Sequence, residues 1–425
     1  MRISADNIDV SFGKIRERST WNIQVNEELR MHKIHVYPAK FPSFLISKSL
    51  EYANNQNITV NSIGDIFCGC GTTALEAKKF NKSFWGCDIN PVATLIAKVK
   101  RGNYDVETLT VCFENIVQQY VAADCETPAD LLNHERINYW FHVDQIRDLY
   151  KLLTSIRANT EDDEYREFFY VAFSNILKRT SKWLTKSIKP QIDPVKPIYA
   201  VLKAFKYQFK VMKDAVVEVN DTIQVQPEAE IINKNFLKTE YSAPFIDMLI
   251  CSPPYVTSYE YADLHQLSTM WLGYTNDFRE LREGTIGSVY NHLFNVDELN
   301  DLDPEILQLY NRLKLAKMSG PRSVIKYFVD IKETINKTYS IVNNGGLAVF
   351  VIGNTTFKNV YVNNAKFIAK YMIEKGFEEV EVFKRKISGK ILTPYRDENG
   401  KFSNDKNDRK VYSYEFVILA KKPNG

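Results

Sequence analysis

The sequence predicts an α/β fold: a doubly wound sheet interrupted by a mainly helical insertion. Three observations carry this. Short apolar strands alternate with amphipathic helices near the start of the chain. A glycine turn joins the first strand to the first of these helices. The same rhythm returns after a helical stretch of roughly a hundred residues, too long for an ordinary loop.

Residues 1–29 are polar and irregular and read as an arm. Apolar residues at helical spacing place a helix over 43–53. A strand follows at Ser62–Phe67, then a helix over about Thr72–Phe80, then a strand at Phe84–Cys87. Pro91 sits where a first helical turn would begin and opens a helix to about Lys100. Residues 30–103 form the first half of the α/β domain. Residues 104–225 read as the helical insertion, with amphipathic stretches at 140–157 and 164–184 and a strand-like run only at Ala215–Val219. Residues 226–425 form the second half. Its strands fall at Glu228–Ile232, Phe245–Cys251, Leu347–Ile352, Glu379–Phe383 and Tyr412–Leu419, with helices near 323–342 and 362–375.

Composition sets outer limits. The chain has 425 residues, 44% hydrophobic and 25% charged, which suits a soluble globular protein with a large core. No apolar run is long enough to span a bilayer, and Met1–Val10 has no apolar stretch of the signal-peptide kind, so a cytoplasmic protein is expected. The six cysteines form no CxxC pair, which argues against a zinc site and for a reduced compartment. His32 and His35 are too few for a metal site. A net charge of +3 excludes little; its distribution matters more.

The segment Asp65-Ile66-Phe67-Cys68-Gly69-Cys70-Gly71-Thr72 ends a strand and opens a helix. Glycines there let the chain turn sharply and let a ligand approach the backbone, and the helix start offers unpaired amide donors. Asp88 ends the next strand, where a carboxylate can accept from both hydroxyls of a ribose. An ordinary turn, with Asp88 as a helix cap, satisfies the same spacing. The phosphate-binding alternatives fit poorly, because neither GxGxxG nor GKT/GKS occurs here.

A second motif decides between these readings. Residues 247–251 are an apolar strand ending in Ser252-Pro253-Pro254-Tyr255. Two prolines cannot extend a sheet, so they fix one extended shape at the carboxyl end of the strand, where open α/β sheets bind ligands. A backbone carbonyl held there, with the Ser252 hydroxyl, can accept both hydrogens of an exocyclic amino group. Tyr255 can stack on an extruded base. A tight turn after a strand is the plain alternative.

Phe67, Gly69 and Gly71, taken with Ser252-Pro253-Pro254-Tyr255, resemble the FxGxG and SPPY motifs of the DNA amino-methyltransferases. The resemblance spans about 30–103 and 226–425. It implies a Rossmann-like fold and S-adenosyl-L-methionine as cofactor. Upstream, His35-Val36-Tyr37-Pro38-Ala39-Lys40-Phe41-Pro42 resembles the segment that closes over the methionine end of that cofactor. The cofactor residues implied are Tyr37, Ala39, Lys40, Phe41, Asp65, Phe67, Gly69, Gly71, Thr72, Asp88, Ile89 and Asn235, and the catalytic ones Ser252, Pro253, Pro254 and Tyr255. Within the family the SPPY form goes mostly with cytosine N4, and in some members with adenine N6. Ile66 and Cys251 depart from the usual proline and threonine. Cytosine C5 chemistry uses a Pro-Cys nucleophile, and no Pro-Cys dipeptide occurs here. An RNA amino-methyltransferase of the same fold and a non-catalytic nucleic-acid-binding protein are the alternatives.

The order of motifs, cofactor turn first, long insertion next and SPPY last, is similar to the class whose target-recognition region separates the two catalytic halves. Between residues 178 and 213 the insertion carries Lys178, Arg179, Lys182, Lys186, Lys189, Lys196, Lys203, Lys206, Lys210 and Lys213 against a single acid, Asp193, with aromatics interleaved. A phosphate-binding surface on double-stranded DNA and a merely solvated face are equally served by this composition; the motif order favours DNA, contacted through Lys178, Arg179, Lys182, Lys186, Lys189 and Lys196. A cognate restriction endonuclease is a candidate partner. Tyr259–Asp263 with His265 and Gln266 serve equally as a loop over the target base or as surface helix. Arg385, Lys386 and Lys390 read as a late hairpin open to phosphate or to solvent.

Overall fold

A computed structural model describes residues 1–22, 28–38, 40, 42–256, 260–291, 303–357, 359–387, 395–396, 402–407, 409–410 and 413–425. Strands β1 (Ser62–Asp65), β2 (Ser83–Asp88), β3 (Ala229–Asn233), β4 (Ile246–Cys251) and β5 (Val342–Ile352) are parallel. A hairpin, β6 (Thr355–Phe357) and β7 (Val360–Val362), precedes β8 (Glu378–Lys386). The two-residue strands β9 (Tyr395–Arg396), β10 (Phe402–Ser403) and β11 (Arg409–Lys410) form a small separate sheet. β12 (Tyr414–Lys421) runs antiparallel between β5 and β8, and the seven-stranded order is β3-β2-β1-β4-β5-β12-β8. The order reverses direction at β1 and β4, the place where sheets of this kind open a ligand crevice.

The central strands are apolar on both faces because helices cover both. Ile63, Met248, Ile250, Val349 and Val351 pack on one side with α2 (Phe44–Asn55) and α3 (Thr72–Lys79). Leu249, Cys251, Ala348 and Phe350 face the other, against the helices Pro321–Ile341 and Asn364–Lys375.

Helix α4 (Pro91–Arg101) follows β2, and six helices then separate it from β3: α5 (Val106–Ala122), α6 (Ala129–Asn133), α7 (Glu135–Trp140), α8 (Val143–Ala158), α9 (Asp163–Leu177) and α10 (Val201–Thr222). Their core of Phe168, Phe169, Phe173, Phe205 and Phe209 is continuous with Val92, Leu95 and Ile96 of α4. The inserted helices are therefore welded to the first half of the α/β domain through shared apolar surface.

Two expectations are corrected. Ala215–Val219 is not a strand but part of α10. Its apolar face continues from Phe205 and Phe209 through Met212, Val216 and Val219 at three-to-four-residue steps, so helical periodicity overrides the local run of valines. The first residues are also not a free arm. Ile3, Ile8 and Phe12 are buried in the main core, α1 (Ile8–Phe12) is helical, and the Ile3 amide donates to the Val380 carbonyl at 2.8 Å.

Candidate active site

The glycine turn after β1 is held by its own acid. Asp65 is buried and accepts from the Phe67 amide (3.1 Å) and the Thr73 hydroxyl (2.7 Å). Burial pushes its carboxyl up to about 7 against the pull of those two donors. Both oxygens thus serve the turn itself. Gly69 and Gly71 have φ of +47° and +76°. A Cβ on Gly71 would lie 2.6 Å from the Ala97 Cα, so this glycine lets α3 and α4 approach closely. Thr72 is buried, and its hydroxyl has no partner among the described residues.

Asp88 is fixed by two backbone donors. Gly69 N–H reaches Oδ2 at 2.9 Å and Asn90 N–H reaches Oδ1 at 2.8 Å. A carboxylate has about four acceptor sites, so each oxygen keeps capacity for a further donor. The side chain is partly exposed, yet burial around it pushes the carboxyl up to about 6 despite both amides. Beyond it, Ile89 and Asn235 converge with Gly284. The Asn235 amide donates to the Gly284 carbonyl (3.3 Å), and a Cβ on Gly284 would come within 3.8 Å of the Ile89 Cδ1. Tyr37 lies over the turn, its hydroxyl 3.6 Å from where a Gly69 Cβ would be. Lys40 instead pairs with Glu28 at 3.0 Å. Burial works to raise Glu28, but Lys40 and Ser43 outweigh it and pull it to about 2. Phe67 is half-buried beside the main core. Ala39 and Phe41 lie outside the described residues.

β1 and β4 are neighbours, with Ile63 opposite Met248 and Gly64 opposite Leu249, so the turn and Ser252-Pro253-Pro254-Tyr255 leave the same edge side by side. Pro253 is buried, and Ser252, Pro254 and Tyr255 are half-exposed. The Tyr255 hydroxyl donates to Glu415 on β12 at 3.2 Å, and buried Arg385 on β8 donates to the other Glu415 oxygen at 3.2 Å. A Cβ on Gly353 would meet the Tyr255 ring at 2.9 Å. Burial, then Glu415, raise the phenol well above its usual range, so it stays neutral. This corrects the reading of Arg385 as an open hairpin cation: it is spent on Glu415. Lys390 and Tyr259 lie outside the described residues.

Among the described residues after the tetrapeptide, Tyr261–Leu264 and Gln266–Trp271 are short helices that pack inward rather than lie on the surface. Gln266 is buried, and its carbonyl accepts from Arg136 (2.8 Å) and Trp140 (2.9 Å) of α7. Asp263 takes both arms of Arg282 at 2.8 and 2.9 Å. His265 stacks on Tyr37 and bonds Asn90. Asn90 escaped the sequence reading, although an Asn before a helix-opening proline is an N-cap signal.

The six basic candidates divide. Lys178 donates to the Ser187 carbonyl (2.6 Å), Lys182 to Asn138 (2.9 Å), and Lys196 to Lys178, Ser181 and Trp183 (2.6, 2.9 and 2.7 Å). Burial lowers Lys196 to about 8. These three ammonium groups fasten the 178–196 loop to itself and to α7. Arg179, Lys186 and Lys189 are exposed.

A doubly wound sheet with a glycine turn, a carboxylate ending the next strand and an SPPY strand end is the arrangement that the resemblance to S-adenosylmethionine-dependent amino-methyltransferases implies. Residues 8–99 match the family model described as DNA methylase. A Type II methyltransferase of Kocuria varians, M.MvaI, is 21% identical over 407 residues, covering 90% of this chain and 89% of that protein. M.BsoBI of Geobacillus stearothermophilus is 22% identical, covering 80% and 73%. M.MjaII of Methanocaldococcus jannaschii is 36% identical over 80 residues, 19% of this chain and 14% of that protein. These likenesses support a DNA amino-methyltransferase with S-adenosylmethionine as its cofactor. No helix among the described residues is long and apolar enough to cross a membrane.

Replacing Asp88 with alanine is expected to weaken S-adenosylmethionine binding by ~1–3 kcal/mol, through the removal of charge-assisted bonds. The pH dependence has a definite sign. Above about 6 Asp88 is ionised and accepts fully. Below that it is protonated, and affinity should fall toward about tenfold per pH unit. Calorimetry from pH 5 to 8 checks both; an Asp88→Ala variant that binds as tightly as wild type removes Asp88 from the cofactor site.

Proposed function

We propose that this protein methylates the exocyclic amino group of a flipped-out base in duplex DNA, cytosine N4 in preference to adenine N6. The observation that carries the reading is the side-by-side exit of the Asp65–Thr72 turn and Ser252–Tyr255 from adjacent strands, with Tyr255 pinned by Glu415. The cofactor fits the residues present: glycines that open the backbone, an Asp88 carboxylate with free acceptor capacity, and an Ile89–Asn235–Gly284 wall for a purine. When bound, it supplies an electrophilic methyl on its sulfonium. The protein's part is alignment. Tyr255 stacks on the extruded base. Ser252 and the Pro253 carbonyl accept the two amino hydrogens, which turns the nitrogen lone pair toward the methyl. No covalent enzyme intermediate is needed, and Cys251 is fully buried with its thiol raised well above the usual range.

The serine form of the tetrapeptide supports cytosine N4. Named relatives of the Type II kind support site-specific methylation within a restriction-modification system, with a cognate endonuclease as partner. The inserted helices, 104–225, are assigned to target recognition. The test is methyl transfer from labelled cofactor to duplex DNA, followed by digestion to nucleosides. N4-methylcytosine is expected. N6-methyladenine would move the activity to the alternative base, label in RNA alone would make the substrate RNA, and no label in either would leave a binding protein.

A further inference from the structure

His265 lies eleven residues beyond Pro254 in sequence but reaches back to the cofactor half. It is 5% exposed, and its ring stacks on Tyr37 with centroids 5.0 Å apart. Its Nδ1 is 2.8 Å from the Asn90 side-chain nitrogen. The roles in that bond are fixed by the helix start. The Asn90 Oδ1 caps α4, accepting from the Val92 and Ala93 amides at 3.0 and 3.4 Å. The other end of the amide is therefore the NH2 group, which donates, and His265 Nδ1 accepts. The ring proton sits on Nε2, which has no partner among the described residues. Burial drives the imidazole pKa down to about 4, in keeping with a neutral ring. Asn90 in turn gives its backbone N–H to Asp88.

We propose that His265 is a positioning residue for the cofactor carboxylate: by accepting from the Asn90 amide it fixes the residue whose backbone N–H holds Asp88. The inference rests on the cofactor role of Asp88 under the proposed function. It links the helix after the base-binding tetrapeptide to the ribose site through one polar chain, His265 to Asn90 to Asp88. The titratable groups around Asp88 are Asp65 at the end of β1, Cys68 in the turn, Cys87 beside it on β2, and Tyr37 above the turn. The substitutions below alter none of them.

Two variants separate the bond from the packing. His265→Asn keeps an acceptor at the same distance from the backbone and loses the ring. His265→Phe keeps the ring against Tyr37 and loses the acceptor. S-adenosylmethionine affinity is measured by calorimetry for the full chain between pH 5 and 8. His265→Phe should bind about tenfold more weakly, the worth of one buried hydrogen bond. Its pH midpoint should rise by about half a unit or more, because the Asn90 N–H favours ionised Asp88. His265→Asn should stay within about threefold of wild type, with an unchanged midpoint. Unchanged affinity and midpoint in His265→Phe, with wild type binding normally, would overturn this inference alone. Equal loss in both variants would also overturn it, since packing would then explain the effect. A wild-type protein that binds no cofactor would bring down the proposed function and this inference together.

Discussion

Tyr255→Ala is expected to lower turnover by about two orders of magnitude while leaving S-adenosylmethionine affinity within about threefold. A base stacked on an aromatic ring gains ~1–3 kcal/mol, each 1.4 kcal/mol is about a factor of ten in rate, and misalignment of the amino nitrogen multiplies the loss. Cofactor affinity is spared because Asp88, Gly69 and Asn235 do not act through this ring. Tyr255 also packs on Gly353, so alanine lowers the melting temperature as well. Tyr255→Phe guards against that ambiguity. It keeps the stacking face and gives up the hydroxyl's bonds, the one to Glu415 among them, so its turnover should fall much less than that of alanine. Steady-state kinetics and cofactor calorimetry on both variants decide the matter. Parallel loss of turnover and affinity in Tyr255→Ala, with both retained in Tyr255→Phe, would mean that the ring belongs to the cofactor wall.

What could be read from the sequence was whatever a short window encodes. The turn at Asp65–Thr72 declares itself because positive-φ glycines, a strand and a helix start are contiguous. The Ser252–Tyr255 end declares itself because two prolines stop an apolar strand. The same window misread Ala215–Val219, where Val216 and Val219 belong to a helix face that already includes Phe205 and Phe209. It also said nothing of where charges go. Lys196 looks like any surface lysine, yet its three acceptors are backbone carbonyls 13, 15 and 18 positions away. Arg385 looks like a hairpin cation until β12 brings Glu415 alongside it. The link from His265 to Asn90 spans 175 positions, with no local pattern to announce it. Partners set by tertiary closure leave no spacing to read.

That division among the lysines shapes the last expected result. Charge reversal at Arg179, Lys186 and Lys189 should weaken duplex DNA binding and flatten its salt dependence, by up to about one unit of log–log slope for each phosphate no longer neutralised. These three side chains are exposed. Arg179 additionally lies 5.6 Å from the centre of the Tyr207 ring on α10, which holds its guanidinium at the surface. Cofactor affinity and melting temperature should hardly move. Reversal at Lys178, Lys182 and Lys196 should behave in the opposite way. Each of those ammonium groups satisfies at least one backbone carbonyl, in the 178–196 loop or on α7, and leaving such acceptors unpaired costs ~1–3 kcal/mol apiece before any repulsion is counted. That triple variant should lose stability first and DNA affinity only as a consequence. The two variants are compared by thermal melting and by duplex binding from about 50 to 200 mM salt, the range over which counterion release is steep. An unchanged slope in the first variant, with its fold intact, would make this face merely solvated. The duplex would then have to be held elsewhere, and the exposed Lys203, Lys206 and Lys210 of α10 are the next cations to reverse.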